Sequence, residues 1–274
     1  SFAFENPGYY KTYKIAENNG VKANFIDLDD KGMSVAKLRQ SGATVAYITP
    51  SHQFPMGITM PIKRRQELLK WAYESEHRYI IEDDFDSEFR FTVKPIPAMQ
   101  GMDTHNKVIY VSTFSKSIAP SIRIAYMILP EPLFQIYKRD FHYYSSTVSR
   151  FEQNCLAQFM RGGHFSRHLN KMRTIYRSRK DQLISELRSL PNHHKIEIVG
   201  GNAGLHILLK INNGMSEQEL IHSAKKEGIK IQGLSKYFID HTPTIESTVV
   251  LGFAMIDIES IGHAVELLNK AWFS

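Results

Sequence analysis

The sequence contains a single cysteine, Cys155, and no long hydrophobic run. One cysteine cannot form a disulfide within the chain, and its scarcity is typical of proteins in a reducing cytoplasm. The longest apolar stretches, such as IAYMILP, are far shorter than the roughly 18 residues of a membrane-spanning helix. The first ten residues lack the charged and apolar regions of a signal peptide. We therefore expect a cytoplasmic protein with no membrane segment.

Blocks of like charge and internal repeats are also absent. The net charge of +6 comes from 34 Lys and Arg residues scattered among 28 Asp and Glu residues. This scatter favours a mildly basic surface over a nucleic-acid-binding stripe. We expect any DNA-binding surface to lie outside this chain.

The overall composition is that of an ordinary globular protein, with 42% hydrophobic and 23% charged residues. A chain of 274 residues is long enough for one large and one smaller domain. The opening FAFE alternates apolar residues and runs directly into the turn signal ENPG. This abrupt start predicts that the chain begins with a β-strand and that the large domain is truncated at its N-terminus.

Strand and helix patterns alternate over the first 130 residues, which favours an α/β fold with three layers around a mostly parallel sheet. Long helical patterns follow Pro130, and the end of the chain reads as a smaller α+β unit with its own sheet. We therefore predict a large domain over residues 1–165 and a small C-terminal domain over residues 166–274.

Three strand ends carry chemically versatile side chains: PSHQFPMG after AYIT, EDDFDSEFR after YII, and TFSKSIAPSIR after VIYV. Ligands of open α/β sheets bind beyond the carboxyl ends of the strands. These three loops are therefore the predicted functional site.

The third loop places Thr113, Ser115, Lys116 and Arg123 within eleven residues. Hydroxyl groups and a guanidinium suit a phosphate monoester. A desolvated lysine amine near other cations attacks an aldehyde to form a Schiff base. The alternative is a surface lysine in a serine-rich loop.

The second loop supplies a carboxylate. A cofactor with a protonated pyridine nitrogen needs a buried carboxylate beside that nitrogen, and Asp83 lies at the end of its strand. The acidic cluster of Asp83, Asp84, Asp86 and Glu88 has a calcium loop as its alternative, but the glycine and ligand spacing of an EF-hand is missing.

Taken together, these motifs resemble those of fold type I aminotransferases and, within them, the effector-binding domains of MocR-type transcription regulators of the GntR superfamily. The matching phrases are ENPGYY, ITPSHQFPMG, IIEDDFDSEFRF, TFSKSIAPSIRIAYMILP and HLNKMRTIYRSRKDQL, and their order covers nearly the whole chain. The resemblance implies a fold type I architecture, pyridoxal 5'-phosphate as cofactor and a homodimer.

The same resemblance assigns roles to single residues. It makes Lys116 the lysine that holds the cofactor covalently and Asp83 the partner of the pyridine nitrogen. Thr113, Ser115 and Arg123 become phosphate ligands, and Tyr9 stacks on the cofactor ring. His52 and Gln53 match the loop that approaches the phenolic oxygen of the cofactor.

Two parts of the chain depart from the pattern. Phe85 stands where these proteins carry a tyrosine that hydrogen-bonds the cofactor. Val249 and Val250 stand where aminotransferases place the arginine that binds a substrate carboxylate, so this arginine is missing. The phosphate loop expected upstream lies outside the chain, as does any winged-helix DNA-binding domain.

These departures favour a sensor over an enzyme. Our first hypothesis is the effector-binding and dimerisation domain of a MocR-type regulator, with pyridoxal phosphate itself or an amino acid or amine as effector. The alternative is a pyridoxal-phosphate-dependent aminotransferase whose substrate carboxylate is bound by Lys11 or Arg90.

Overall fold

The larger sheet organises the first half of the chain in this computed structural model, which describes residues 1–91, 96–240 and 247–274. Its strands are β1 (Phe2–Asn6), β2 (Ala23–Asp29), β3 (Gly32–Met33), β4 (Val45–Ile48), β5 (Tyr79–Asp84), β6 (Val108–Thr113) and β7 (Ala125–Ile128). Within the described residues their order is β3-β2-β1-β4-β5-β6-β7. The inner strands are parallel, whereas β3 and β7 run antiparallel at the two edges. The predicted α/β fold with a mostly parallel sheet is confirmed.

Helices connect these strands and bury one apolar core against them. They are α1 (Tyr10–Asn18), α2 (Val35–Gln40), α3 (Ile62–Tyr73) and α4 (Met99–Met102). Trp71 of α3 is fully buried with Ile48 and Ile80 of the sheet. Burial of a large apolar side chain contributes roughly 1.5–3 kcal/mol, so α3 is a main source of stability for this unit.

The strand order reverses between β1 and β4. The chain builds outward from β1 to β2 and β3, then crosses to the other side of β1 and continues through β4 to β7. Crevices at such a reversal, beyond the carboxyl ends of the strands, are the usual ligand sites of α/β sheets. The loop after β1 contains Tyr9 and the loop after β4 contains His52, so both predicted residues flank this crevice.

The second half of the chain is mainly helical before its own sheet forms. Its helices are α5 (Glu131–Asp140), α6 (Arg150–Arg161), α7 (His164–Ser189), α8 (Glu217–Lys226) and α9 (Ile261–Phe273). Its strands β8 (Ile196–Gly200), β9 (His206–Ile211), β10 (Gln232–Gly233) and β11 (Thr248–Gly252) form an antiparallel sheet of order β10-β11-β9-β8. No helix in the described ranges is long and apolar enough to cross a bilayer.

A second apolar core lies between this sheet and α7, α8 and α9. It contains Leu183, Leu209, Leu220 and Trp272, all nearly inaccessible to solvent. Helix α8 begins with a capping box, in which Ser216 accepts a hydrogen bond from the Glu219 amide and the Glu219 carboxylate accepts one from the Ser216 amide. The predicted domain boundary between residues 165 and 166 falls within the first turn of α7, which begins at His164. This boundary stays a prediction.

Candidate active site

Three adjacent parallel strands bring the predicted loops to one edge of the sheet. β4 pairs with β5 and β5 pairs with β6, all in the same direction. Because the carboxyl ends of parallel strands meet at the same edge, the loops after Ile48, Asp84 and Thr113 emerge side by side. The sequence motifs are therefore brought together at that edge.

A cavity of about 350 Å³ opens beside the third loop. Its lining residues are Phe54, Phe85, Asp86, Lys116, Leu205, His206, Lys230, Ile231, Gln232, Tyr237, Val250, Gly252, Ala254 and Met255. The wall thus combines residues from the loops of the large sheet with residues of the small sheet. Its volume and mostly apolar lining are those of a small-molecule site.

Lys116 lies in the turn after β6 and lines this cavity. Its ammonium group makes no ion pair or hydrogen bond with the part of the chain that the structure describes. A lysine without a salt-bridge partner on a cavity wall is free to react with or bind a ligand.

Thr113 and Ser115 contact each other at the end of β6, and Arg123 follows in the same segment; none of the three lines the cavity. The Thr113 hydroxyl donates to Ser115 Oγ at 2.9 Å, and the Ser115 amide donates to Thr113 Oγ1 at 3.1 Å. Arg123 adopts a left-handed conformation with φ of 50°, and its guanidinium donates to the Pro120 carbonyl at 3.4 Å. A non-glycine residue in this region costs roughly 1–3 kcal/mol, and such strain concentrates at functional sites.

Asp83 is partly buried, one residue before the end of β5. Tyr47 of the neighbouring strand donates a hydrogen bond to its Oδ2. Burial raises the pKa of Asp83 to about 6, the Tyr47 hydrogen bond lowers it, and the nearby carboxylates of Asp84 and Asp86 raise it. Asp83 pairs with Val111 and Asp84 pairs with Ser112, so this aspartate lies at the end of its strand.

His52 lies in a buried contact between the two halves of the site. Its Nδ1 is 2.8 Å from Asp86 Oδ2, and both side chains are almost fully buried. A carboxylate is an acceptor only, so Nδ1 carries the proton. His52 Nε2 and Asp86 Oδ1 are buried and have no hydrogen-bond partner among the residues that the structure describes.

Glycine is required beneath the His52 ring. A Cβ at Gly204 would lie 1.8 Å from His52 Cε1, and Gly204 has φ of +73°. Only glycine offers both the space and this backbone conformation. The small-sheet loop before β9 thus packs directly on the large-sheet loop after β4.

His206 of β9 continues this contact into the cavity. Its ring lies 4.9 Å from the His52 ring, and its Nε2 is 2.8 Å from the Pro55 carbonyl, so Nε2 is the protonated nitrogen. Burial lowers the pKa of His206 to about 4, as do the neighbouring His52 and Lys116. A neutral ring in this tautomer has Nδ1 as its acceptor.

Gln53 is held by structural contacts rather than facing the cavity. Its Nε2 donates to the Pro7 carbonyl at 3.0 Å and to the Phe54 carbonyl at 2.7 Å, and its Oε1 accepts from the Met56 amide. The role of Gln53 near a cofactor stays a prediction. Its observed contacts fasten the loop after β4 to the loop after β1.

Tyr9 does not line the cavity itself but contacts the lining residue Phe54. The Tyr9 side chain is exposed, and its ring meets the Phe54 ring edge-on at 6.0 Å. Phe54 in turn lies on the cavity wall. Stacking of Tyr9 on a cofactor remains a prediction.

The two departures from the family pattern both appear on the cavity wall. Phe85 lines it without offering a hydrogen-bond donor, and Val250 lines it with an apolar surface. The substitutes suggested for the missing arginine do not line it. Lys11 lies exposed on α1, while Arg90 is partly buried and donates to the Ser51 carbonyl at 3.5 Å.

Sequence reasoning did not single out His206, Lys230, Gln232 or Tyr237 as cavity residues. They come from the small sheet, far along the chain, and no local motif marks them. Only the strand alternation of GLHILLKI, which turns His206 to one face, carried a usable signal. The described residues contain no cluster of three or more side chains able to hold a metal ion.

The donor set fits pyridoxal phosphate. Two hydroxyl groups and a guanidinium without an ion pair among the described residues suit a phosphate dianion, and Lys116 supplies an amine without an ion-pair partner. Asp83 supplies a partly buried carboxyl group on the strand next to the one that leads to Lys116.

Comparisons with known proteins agree with this fit. Residues 2–266 match the family Aminotransferase class I and II. The uncharacterized HTH-type transcriptional regulator YdeL of Bacillus subtilis (strain 168) is 43% identical over 99% of this chain and 58% of its own length. The probable rhizopine catabolism regulatory protein MocR of Rhizobium meliloti is 30% identical over 98% of this chain and 54% of its own length. This chain thus spans a little over half of each regulator.

Solved structures give the same fold. The multiple substrate aminotransferase of Thermococcus profundus superposes with a TM-score of 0.82 at 25% identity, covering 99% of this chain and 68% of that chain. The resemblance to MocR-type regulators is confirmed, and pyridoxal 5'-phosphate is the cofactor that the family implies. The chain belongs to the aminotransferase class I and II family.

Proposed function

We propose that this chain is the pyridoxal-phosphate-binding, effector-sensing and dimerisation domain of a MocR-type regulator of the GntR superfamily. The observation that carries the proposal is the 43% identity, over 99% of this chain, to a protein described as an HTH-type transcriptional regulator. DNA is bound by a winged-helix domain outside this chain. The whole protein acts in the cytoplasm as a homodimer.

The site residues have distinct roles in this proposal. Thr113, Ser115 and Arg123 bind the phosphate, and Lys116 holds the cofactor covalently. Asp83 holds a proton at the ring nitrogen. The raised pKa of Asp83, about 6, still leaves it mostly ionised at neutral pH, as this role requires.

The remaining residues shape the surroundings of the cofactor. Tyr9 packs on the ring, while His52 and Gln53 hold the loop that approaches its phenolic oxygen. Phe85 excludes water from that side without donating a hydrogen bond. When bound, pyridoxal phosphate supplies a protonated ring that withdraws electrons from an attached amine.

The apolar cavity wall at Val250 supports a sensor rather than an enzyme. A transaminase must orient the Cα–H bond of its substrate, and a bidentate arginine is an effective way to do so. A sensor needs only a ligand with different affinities for two states of the protein. Either pyridoxal phosphate itself or an amino acid or amine meets this requirement as effector.

The full-length protein provides the test. We expect it to bind a DNA fragment from its own promoter region with an affinity that changes when pyridoxal phosphate or an amine is added, measured by fluorescence anisotropy. We also expect slow transamination of common amino acids. DNA affinity that ignores every such ligand, together with ordinary aminotransferase turnover, would contradict the proposal.

An aminotransferase is the second candidate. The observation in its favour is that the donor set around Lys116 is complete enough for cofactor chemistry. The sequence that precedes this chain in the intact protein separates the two, since a basic winged-helix segment favours the regulator.

A further inference from the structure

The cavity lining contains a second cation. Lys230 precedes β10 and lines the cavity together with Lys116. It is exposed and forms no ion pair with any residue in the described ranges. Two lysines, one after β6 of the larger sheet and one before β10 of the smaller sheet, therefore line one small, mostly apolar space.

Gln232 adds a hydrogen-bond donor beside Lys230. Its Oε1 accepts from the Tyr237 hydroxyl at 2.7 Å and from the Lys236 ammonium at 3.2 Å. Because both of these partners are donors, they fix the carbonyl side of the amide, and the Nε2 amide group remains to serve the cavity. Lys230 and Gln232 thus offer a full positive charge and an N–H group two residues apart.

The pairing of Gln232 with Val250 shows where these donors lie relative to the apolar part of the cavity lining. Gln232 pairs directly with Val250 across the β10–β11 ladder, and both line the cavity. Directly opposed residues of an antiparallel pair project to the same face, with Cβ atoms about 5 Å apart. The donors therefore border the apolar surface formed by Val250, Leu205 and Ile231.

The same cavity also offers acceptors. Asp86 lines the cavity, and the neutral His206 has Nδ1 as an acceptor. A ligand that pairs with both the donors and the acceptors of this cavity has an amino group, an anionic group and an apolar body. A single ammonium group matches a monoanion such as a carboxylate better than a phosphate dianion.

We propose that Lys230 and Gln232 bind the carboxylate of the effector, which is an amino acid with an apolar side chain. The proposal rests on the proposed function, because it assigns the second end of the same effector site. It names specificity-determining residues that the sequence motifs do not contain.

Matched ligand pairs provide the test on the cofactor-loaded, full-length protein. L-leucine and 3-methylbutylamine differ only by the carboxylate, as do L-phenylalanine and 2-phenylethylamine. Dissociation constants follow from the change in the visible spectrum of the cofactor. We expect the wild-type protein to bind the amino acid of at least one pair about tenfold more tightly than the amine.

Three variants test whether Lys230 causes the preference for the amino acid over the amine. Lys230→Ala should reduce the ratio within the pair to about twofold or less, and Lys230→Arg should preserve it. Lys225→Ala is the matched control, because Lys225 is an exposed lysine of α8 that does not line the cavity. Its ratio should equal that of the wild-type protein.

The outcomes separate this proposal from the proposed function. An unchanged ratio in Lys230→Ala, an equal loss in Lys225→Ala, or no response to any of the four probes would overturn the role of Lys230. None of these results affects cofactor binding at Lys116. A protein without a cofactor spectrum would instead contradict the proposed function and, with it, this inference.

Discussion

At the residue scale, Glu5 shows how burial sets the charge of a group next to the site. Its Oε2 accepts hydrogen bonds from the Thr49 amide and hydroxyl and from Gln53, whereas Oε1 is buried with no partner in the described part of the chain. Burial raises the pKa of Glu5 to about 7, even though these hydrogen bonds lower it. The carboxyl group is therefore partly protonated near neutral pH.

This pKa predicts how stability depends on pH. The folded protein binds more protons at Glu5 than the unfolded chain between pH 4.5 and about 7, so the stabilisation present below this window is lost as the pH rises through it. The loss from Glu5 amounts to about 3 kcal/mol. The unfolding free energy, measured with urea at both ends of this pH window, should change less between the two pH values in Glu5→Gln than in the wild-type protein. Parallel pH profiles would show that Glu5 titrates normally.

At the element scale, the loop before β9 shows how two distant segments form one site. Gly204 lies under the His52 ring, and the backbone bridge between Arg90 and Ala203 ties the same loop to the segment after β5. The loop after β4 cannot take this position unless the second sheet supplies a residue without a side chain.

Substitution of Gly204 tests this contact. Gly204→Ala should destabilise the protein by on the order of 3–5 kcal/mol, because it adds a clash with His52 to the strain of a positive φ. Gly214→Ala is the matched control, since Gly214 has φ of +85° with open space around it, and it should cost only about 1–2 kcal/mol. Urea unfolding measures both.

A second substitution separates the clash from the backbone strain. The double variant Gly204→Ala with His52→Ala should be less destabilised than the sum of the single variants. Additive effects would mean that the two residues do not interact.

Sequence patterns predicted most of these elements. The sequence predicts a short helix near Val35 to Gln40 and a strand over ANFIDLD, and α2 and β2 have these bounds because clear sequence patterns mark them. The two-residue strands β3 and β10 were not predicted, since a pairing that short depends on its neighbours rather than on its own residues. The site residues also differ in how well the sequence predicts them. Lys116 lies in a local motif, whereas Lys230 and His206 reach the cavity only through the packing of the second sheet.

At the scale of the whole molecule, the cavity lies between parts of the chain that have separate cores. Phe85 and Lys116 follow β5 and β6 of the first sheet, whereas His206 begins β9 and Lys230 precedes β10 of the second. A ligand that contacts both walls binds the folded protein but not the unfolded chain. Ligand binding and stability should therefore be linked.

This linkage predicts a measurable stabilisation. Pyridoxal phosphate at about 100 times its dissociation constant should raise the unfolding free energy of the full-length protein by about 2.7 kcal/mol. At the same concentration, Lys116→Ala should gain less, because its affinity is lower. Chemical denaturation with and without cofactor measures the gain, and identical gains in the two proteins would exclude Lys116 from cofactor binding.

The central claim is that Lys116 holds the cofactor, and covalent trapping tests it most directly. The full-length protein is incubated with pyridoxal phosphate, reduced with borohydride and mapped by peptide mass spectrometry, with Lys171→Ala as a control at an exposed lysine of α7. The account predicts one modified peptide, containing Lys116, in the wild-type protein and in the control, and none in Lys116→Ala. Modification confined to another lysine, or equal modification in Lys116→Ala, would contradict it.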